Sequence, residues 1–557
     1  MKRYLPFLLL LLTFIYSQNN PGLQDLAKHF FEWRAATQPI TPDDIPRVER
    51  KNGWVPDFSH QAIEDYKNKY LHFNNTLSTI NQTNFSQADS VDYLLLRSAI
   101  ERVNWELNIL KLQNTHPEFY VQQTVGSILD LLVIASPFNK ERAENFLLRL
   151  NSIPKTIANA KINLTNPVKP FAQITIFQLE DISAKLKRCA VELNKSFPQL
   201  FDERLDAGIK NASEALEDYS RWLKKKLSGM TDKFSVGREN FIYFLKNIAL
   251  VPYTPEELLR MGKQEWERSV TFETLEKARN KNIPENEIFS SIEKEIEQAR
   301  KDEQSIRDFL EKKNILTIPN WTQHYTLKAM PEYVDALSSF GELDDFTSPT
   351  RMNENSVRYI PQPSAQLPFF YKTAATDPRP LIIHEGTPGH YFQLVQAWHN
   401  PDFIRRNYFD SNGNEGIGFY LEEMMLQLGL FDNMPHSREI IYKFMRLRAL
   451  RVDVDINLAL GNYTIEQAAR YLASTVPMDY ESAAEGAAFY SLTPGQAITY
   501  QIGKIQIINL ISEAKIKLGD RFSLKDYHDY MLLNGNMPIA LQRWEYLGET
   551  DEIKKLW

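Results

Sequence analysis

The sequence predicts a mainly α-helical protein in two regions, with a small β component near a candidate site in the second. Three observations carry this prediction. Apolar residues recur at helical spacing from Gln18 to about Ile318. The texture then turns loop-rich and partly extended after Tyr325, and helical patterns resume from Pro388 to the end.

The chain opens on a short basic start, Lys2 and Arg3, followed by an apolar run from Leu5 to Tyr16 and a small residue, Ser17. That order is the pattern of a secretory signal peptide over residues 1–17, with an uncleaved anchor as the alternative. No cysteine follows the run, so lipid attachment there is not expected, and no later stretch reaches membrane-spanning length without charges. The expectation is an exported protein, periplasmic or secreted, with no stable membrane insertion after removal of the leader.

The helical region over 18–317 is built from amphipathic segments. Ser90 to Leu112 carries Val91, Leu94, Leu95, Ala99, Val103, Leu107 and Leu110 on one face. Ile174–Leu193, Ser213–Leu227 and Pro255–Ala278 repeat the pattern, and Ile288–Leu316 is a highly charged helix expected to show Glu293, Glu295, Glu297, Arg300, Lys301 and Arg307 to solvent. A boundary is placed near Thr317, and a second region spans 318–557. Its Pro, Ser and Asn-rich loops run from Asp344 to Gln366, and Leu367–Tyr371 reads as extended.

Composition narrows the function. The 557 residues exceed the usual size of one domain, and 43% apolar with 24% charged residues is ordinary for a globular protein. Lys and Arg total 64 against 71 Asp and Glu, a net charge of -7, which argues against nucleic acid as the main partner. The single cysteine, Cys189, rules out an internal disulfide and thiolate zinc sites. Nucleophile-elbow, phosphate-loop and dinucleotide-binding glycine motifs are absent, and no histidine follows a Glu by three residues as di-iron bundles require.

The chemistry concentrates in His384-Glu385-Gly-Thr-Pro-Gly-His390. A zinc hydrolase needs imidazoles converging on one ion with a carboxylate beside them to take a proton from water. On an unbroken helix the second histidine, six residues on, would point about 240° away and lie roughly 9 Å further along. Pro388 and Gly389 break such a helix, with Thr387 a candidate cap and Pro388 at the first position of the next. Spacing alone leaves two readings: a kink that swings His390 back to His384, or a helix boundary with two unrelated polar side chains. Downstream, Glu415 and Glu422 lie seven apart on one face of an otherwise apolar segment. A buried acid wants a cation, so Glu415 is favoured as a third ligand, whereas Glu423 reads as a surface residue. The remaining histidines, among them His116, His324 and His528, read as core-edge or surface residues, and Arg448 and Arg451 as buried structural ion pairs rather than substrate anchors.

These motifs, HExxPGHxxQ over His384–Gln393, Glu415-Gly-Ile-Gly-Phe-Tyr-Leu-Glu422 and Pro494-Gly-Gln-Ala-Ile-Thr-Tyr500-Gln-Ile-Gly503, resemble the bacterial domain-of-unknown-function family 885. That family is regarded as a branch of the zincin-type metallopeptidases, and the likeness is specific from about Pro331 onward. The resemblance implies a gluzincin-type helical architecture and a Zn2+ ion on His384, His390 and Glu415. It implies Glu385 as general base, Tyr500 as donor to the oxyanion, Glu422 as a support for a ligand imidazole, and a peptide substrate. Three positions depart from the family pattern: Ile417 for a tryptophan, Ala459 for a histidine and Phe489 for an arginine. The expected activity is a zinc-dependent peptidase acting on peptides rather than folded proteins. A non-catalytic exported peptide-binding protein and a hydrolase of another amide are the alternatives.

Overall fold

The computed structural model describes residues 20–41 and 46–557, so the leader segment 1–17 lies outside the described residues. Helices account for 68% of the chain, which confirms the mainly α class. Most of the anticipated segments form, with boundaries set by their caps. Ser86 and Asp89 make a reciprocal capping box, so the first long periodic segment begins at Gln87 and runs to Asn104 before one π-helical turn at Trp105–Leu110. Thr254 and Glu257 cap Pro255–Asn280 in the same way. The Ile174–Leu193 pattern is two helices, Lys169–Gln178 and Ile182–Ser196, because Asp181 takes a left-handed backbone (φ 56°) between them.

The charged helix forms over Ile292–Lys313, but it is not wholly a solvated surface element. Glu295, Glu303 and Arg307 lie on its buried face with Ile292, Ala299, Ile306 and Leu310. Arg307 pairs with Glu303 and donates from Nη2 to Thr387 Oγ1 at 3.3 Å. A charged helix therefore braces the turn that carries the histidines.

The β component is a three-stranded sheet: β1 (Tyr325–Ala329), β2 (Asp344–Asp345) and β3 (Ser356–Ile360), with β3 central, parallel to β1 and antiparallel to β2. The anticipated extended stretch at Leu367–Tyr371 is instead the approach to a short helix, Phe369–Ala374, which begins after Pro368. The sheet lies against the candidate site, since a Cβ on Gly386 would fall 2.6 Å from the Tyr325 ring.

The site is held by four helices: Arg379–Glu385, His390–Trp398, Ser411–Gln427 and Thr499–Leu518. The last two pack backbone to backbone, a Cβ on Gly416 meeting Gly503 Cα at 2.6 Å. Helix Pro435–Leu460 covers them and lies along Pro255–Asn280, so closely that a Cβ on Gly262 would meet Val452 at 2.8 Å. The apolar cores cross residue 317 repeatedly. Leu310 and Ile315 share one with Ile383 and Phe419, Leu129 and Leu186 share another with Leu337 and Val357, and Leu23 and Val91 share a third with Ile404 and Leu541.

Candidate metal centre

The helix carrying His384 ends at Glu385, and the next begins at His390 with Gly389 as its cap. Thr387 is therefore not the cap that the spacing suggested; its hydroxyl faces Arg307 instead. Pro388 follows Thr387 through a cis peptide bond. Gly389 is required by contact rather than by φ, because a Cβ there would lie 1.9 Å from the carbonyl oxygen of His384. The turn folds back on itself and leaves the His384 and His390 rings 4.6 Å apart at 76°.

Glu415 arrives from the facing helix. Its Oε2 lies 3.2 Å from His384 Nε2 and 3.2 Å from His390 Nε2. All three side chains are buried, and their ligating atoms lie within 4.8 Å of one another. A four-coordinate ion bonded at about 2.0–2.1 Å holds its ligand atoms about 3.3 Å apart, so the donor set fits a small divalent cation such as zinc. Gly418 makes the room: a Cβ there would stand 3.0 Å from His390 Cε1 and 3.1 Å from His384 Cε1.

The surrounding groups fix these donors. Glu422 Oε1 lies 2.7 Å from His384 Nδ1, the arrangement that orients a ligand imidazole and sets its tautomer. Arg448 in turn reaches Glu422 Oε1 at 3.1 Å. Burial alone would push the His384 imidazole down; Glu415 and Glu422 outweigh it and raise it to about 9. Burial would raise Glu415, but the His390 and His384 imidazoles hold it far below the usual carboxylate range. A cation in the centre would take over the charge role of that proton. The Phe346 ring meets His390 edge-on at 6.2 Å and closes one flank.

Glu385, in contrast to the ligand candidates, is only half-buried. Its charge acts on the sheet, at Tyr325, Asp344 and Arg358. There Tyr325 donates to Asp344 Oδ1 at 2.7 Å and Arg358 pairs with Asp344. Burial pushes the Asp344 carboxyl up against the pull of Arg358, and Glu385 adds to the rise. Desolvation by the surrounding atoms pushes the Glu342 carboxyl up against the pull of Arg358, and Glu385 adds to the rise. Tyr500 stacks on His384 with ring centres 6.0 Å apart at 12°. Burial and Glu415 hold its phenol far above the ordinary range against Arg451 and Arg448, so it carries its proton at neutral pH.

The anticipated residues thus converge, with Glu423 placed differently from expectation. It is buried and pairs with Lys504 at 2.8 Å and Arg268 at 2.8 Å, partners from distant helices. Gly389 was anticipated as part of the helix break, whereas Gly386 and Gly418 were not singled out, although closely spaced glycines within otherwise helical patterns signal close approach. Of the departures, Ile417 and Ala459 are core residues, and Phe489 packs against Tyr490 with ring centres 6.0 Å apart.

The profile of a bacterial family of unknown function, DUF885, matches residues 47–544. Curated proteins give no match. Two solved structures share the fold. One is a candidate lipoprotein of unknown function from Shewanella oneidensis, 17% identical, with a TM-score of 0.71 over 94% of this chain and 99% of that one. The other is a candidate lipoprotein from Colwellia psychrerythraea, 18% identical, with a TM-score of 0.73 over 94% of this chain and 98% of that one.

Proposed function

The chain belongs to the DUF885 family of bacterial proteins, and from that premise we propose that it is a zinc-dependent peptidase of zincin type acting on peptides. The observation that carries the reading is the convergence of His384 and His390 Nε2 on one oxygen of Glu415, with Glu385 beside them still open to solvent. His384, His390 and Glu415 would hold a divalent ion, which would supply Lewis acidity and lower the pKa of a water at the site. Glu385 would take the proton from the attacking water and pass it to the leaving amine. Tyr500, protonated and stacked on His384, donates to the oxyanion that develops on the peptide carbonyl. Glu422 holds the His384 ring in place, and Arg448 offsets the charge of Glu422.

Export belongs to the same reading. The leader-like start supports it, as does the description of both solved relatives as candidate lipoproteins. Among the described residues no helix is long and apolar enough to cross a membrane.

Elemental analysis tests the centre first. Wild type is expected to hold about one zinc per chain and His390→Ala little, after identical purification. Glu385→Gln should keep the metal and lose roughly 100-fold or more of peptide turnover. Equal metal in wild type and His390→Ala would remove the centre, and tight peptide binding without cleavage would favour the binding-protein alternative.

A further inference from the structure

Two guanidinium groups lie over the Tyr500 ring, and one of them lacks a counter-charge. The Arg448 guanidinium carbon is 5.5 Å from the ring centre and that of Arg451 is 4.9 Å. Arg448 spends one nitrogen on Glu422, while its Nε and Nη1 have no hydrogen-bond partner. Arg451 is 8% exposed and its Nε also lacks a partner. Among the described residues no carboxylate lies within ion-pairing distance of Arg451, so the structural ion pair expected from the sequence is realised only at Arg448.

Aromatic rings surround Arg451: Tyr500, Tyr490 at 5.4 Å and Phe370 at 5.8 Å. A buried cation held only by rings and phenols is costly. Glu415 favours the charge of Arg451 from a distance but does not pair with it, and the carboxylate of Glu422 already serves both Arg448 and His384. A divalent ion on His384, His390 and Glu415 would leave the neighbourhood more positive still. The missing component is an anion. A guanidinium fork matches a carboxylate in shape and charge, and Phe370, one of the rings beside Arg451, is 38% exposed.

We infer that Arg451 receives a substrate carboxylate, and that the substrates are peptides whose free C-terminal carboxylate lies within one or two residues of the scissile bond. The inference deepens the peptidase reading and rests on it. The spacing follows from the stack His384–Tyr500–Arg451, whose separations of 6.0 and 4.9 Å set an upper limit of about 11 Å; the guanidinium–carboxylate contact takes about 4 Å of it, which leaves about 7 Å, the reach of one or two residues at about 3.5 Å each. A chain end is favoured over an acidic side chain because Tyr500, Tyr490 and Phe370 already stand 4.9, 5.4 and 5.8 Å from the guanidinium carbon and crowd it.

Binding to metal-loaded Glu385→Gln protein, followed by calorimetry, tests this without turnover. N-acetyl-trialanine should bind 10- to 100-fold more tightly than its C-terminal amide. Arg451→Gln should abolish that preference while leaving metal content and amide binding unchanged, and Arg451→Lys should restore part of it. Should Arg451→Gln fail to fold, the acid-against-amide comparison on Glu385→Gln and the lysine variant still decide. Equal binding of acid and amide would overturn the inference. An amidated peptide with an aspartate side chain that binds as tightly as the free acid would overturn the chain-end assignment. Metal content and turnover of wild type, measured in parallel, report separately on the peptidase reading: acid preference without metal or cleavage would defeat that reading and support the carboxylate receptor.

Discussion

At the residue scale, His528 shows how a buried side chain sets a pH limit on the fold. Its Nδ1 donates to the Ile315 carbonyl at 2.8 Å and its Nε2 accepts from Tyr420 at 2.9 Å, so the neutral ring uses both nitrogens. Burial lowers its pKa to about 4, below the ordinary value of 6.5, against smaller opposing effects. The unfolded chain therefore binds the proton more readily than the folded one below about pH 6.5. Stability from this residue is complete above that value and is lost as pH falls towards 4, by an amount on the order of 3 kcal/mol. Urea unfolding at pH 7 and 4.5 should show a smaller acid loss in His528→Gln than in wild type; equal losses would place the proton uptake elsewhere. The same residue marks what the sequence shows poorly. His384, His390 and Glu415 were legible because Pro388-Gly389 and a lone acid in an apolar run are local signals. His528, Glu423 and Arg451 were not, because their surroundings come from Ile315, Lys504 and Tyr500 on other elements.

At the element scale, the centre depends on how closely backbones and rings approach. Each glycine inside a helix costs roughly 1 kcal/mol against alanine, yet Ser411–Gln427 holds Gly413, Gly416 and Gly418 within six positions. Contacts explain all three: Asn536 O at 2.6 Å, Gly503 Cα at 2.6 Å and the two imidazoles at 3.0–3.1 Å from the Cβ each would gain. Gly418→Ala is expected to fold and to lower zinc affinity at least tenfold, because the added methyl pushes both rings away from Glu415. Gly416→Ala acts on packing instead and should cost about 1–3 kcal/mol. Zinc titration beside thermal unfolding separates the two effects; unchanged affinity in Gly418→Ala would show that the imidazoles tolerate the shift. Helix periodicity was readable over most of the chain because amphipathic faces repeat locally. The Asp181 break was missed because both flanking segments keep apolar spacing, and the Glu295 and Arg307 placement because a charged face conceals a buried one.

At the scale of the whole molecule, the composition shift near Thr317 marks a change of element type across which the packing continues. The helix Ile292–Lys313 lies before that point, yet its Leu310 shares a core with Ile383 and Phe419, and its Arg307 reaches Thr387 in the histidine turn. Helix Pro255–Asn280 supplies Glu265 to Lys504 at 3.2 Å and Arg268 to Glu423 at 2.8 Å, tying both helices of the Glu415–Tyr500 pair to the N-terminal region. A fragment of residues 318–557 would therefore expose a large apolar face. It would also leave Lys504, 0% exposed in the intact chain, with one of its two carboxylates gone. Breaking such buried pairs costs several kcal/mol, a large fraction of the net stability of a folded domain. The expectation is one cooperative thermal transition for the intact chain, and neither a transition nor stoichiometric zinc binding for the fragment. A fragment that melted cooperatively and bound about one zinc would establish the second region as an autonomous domain. The N-terminal helices would then be a cover over a site that forms without them, and loss of those helices would change access to the centre rather than the centre itself.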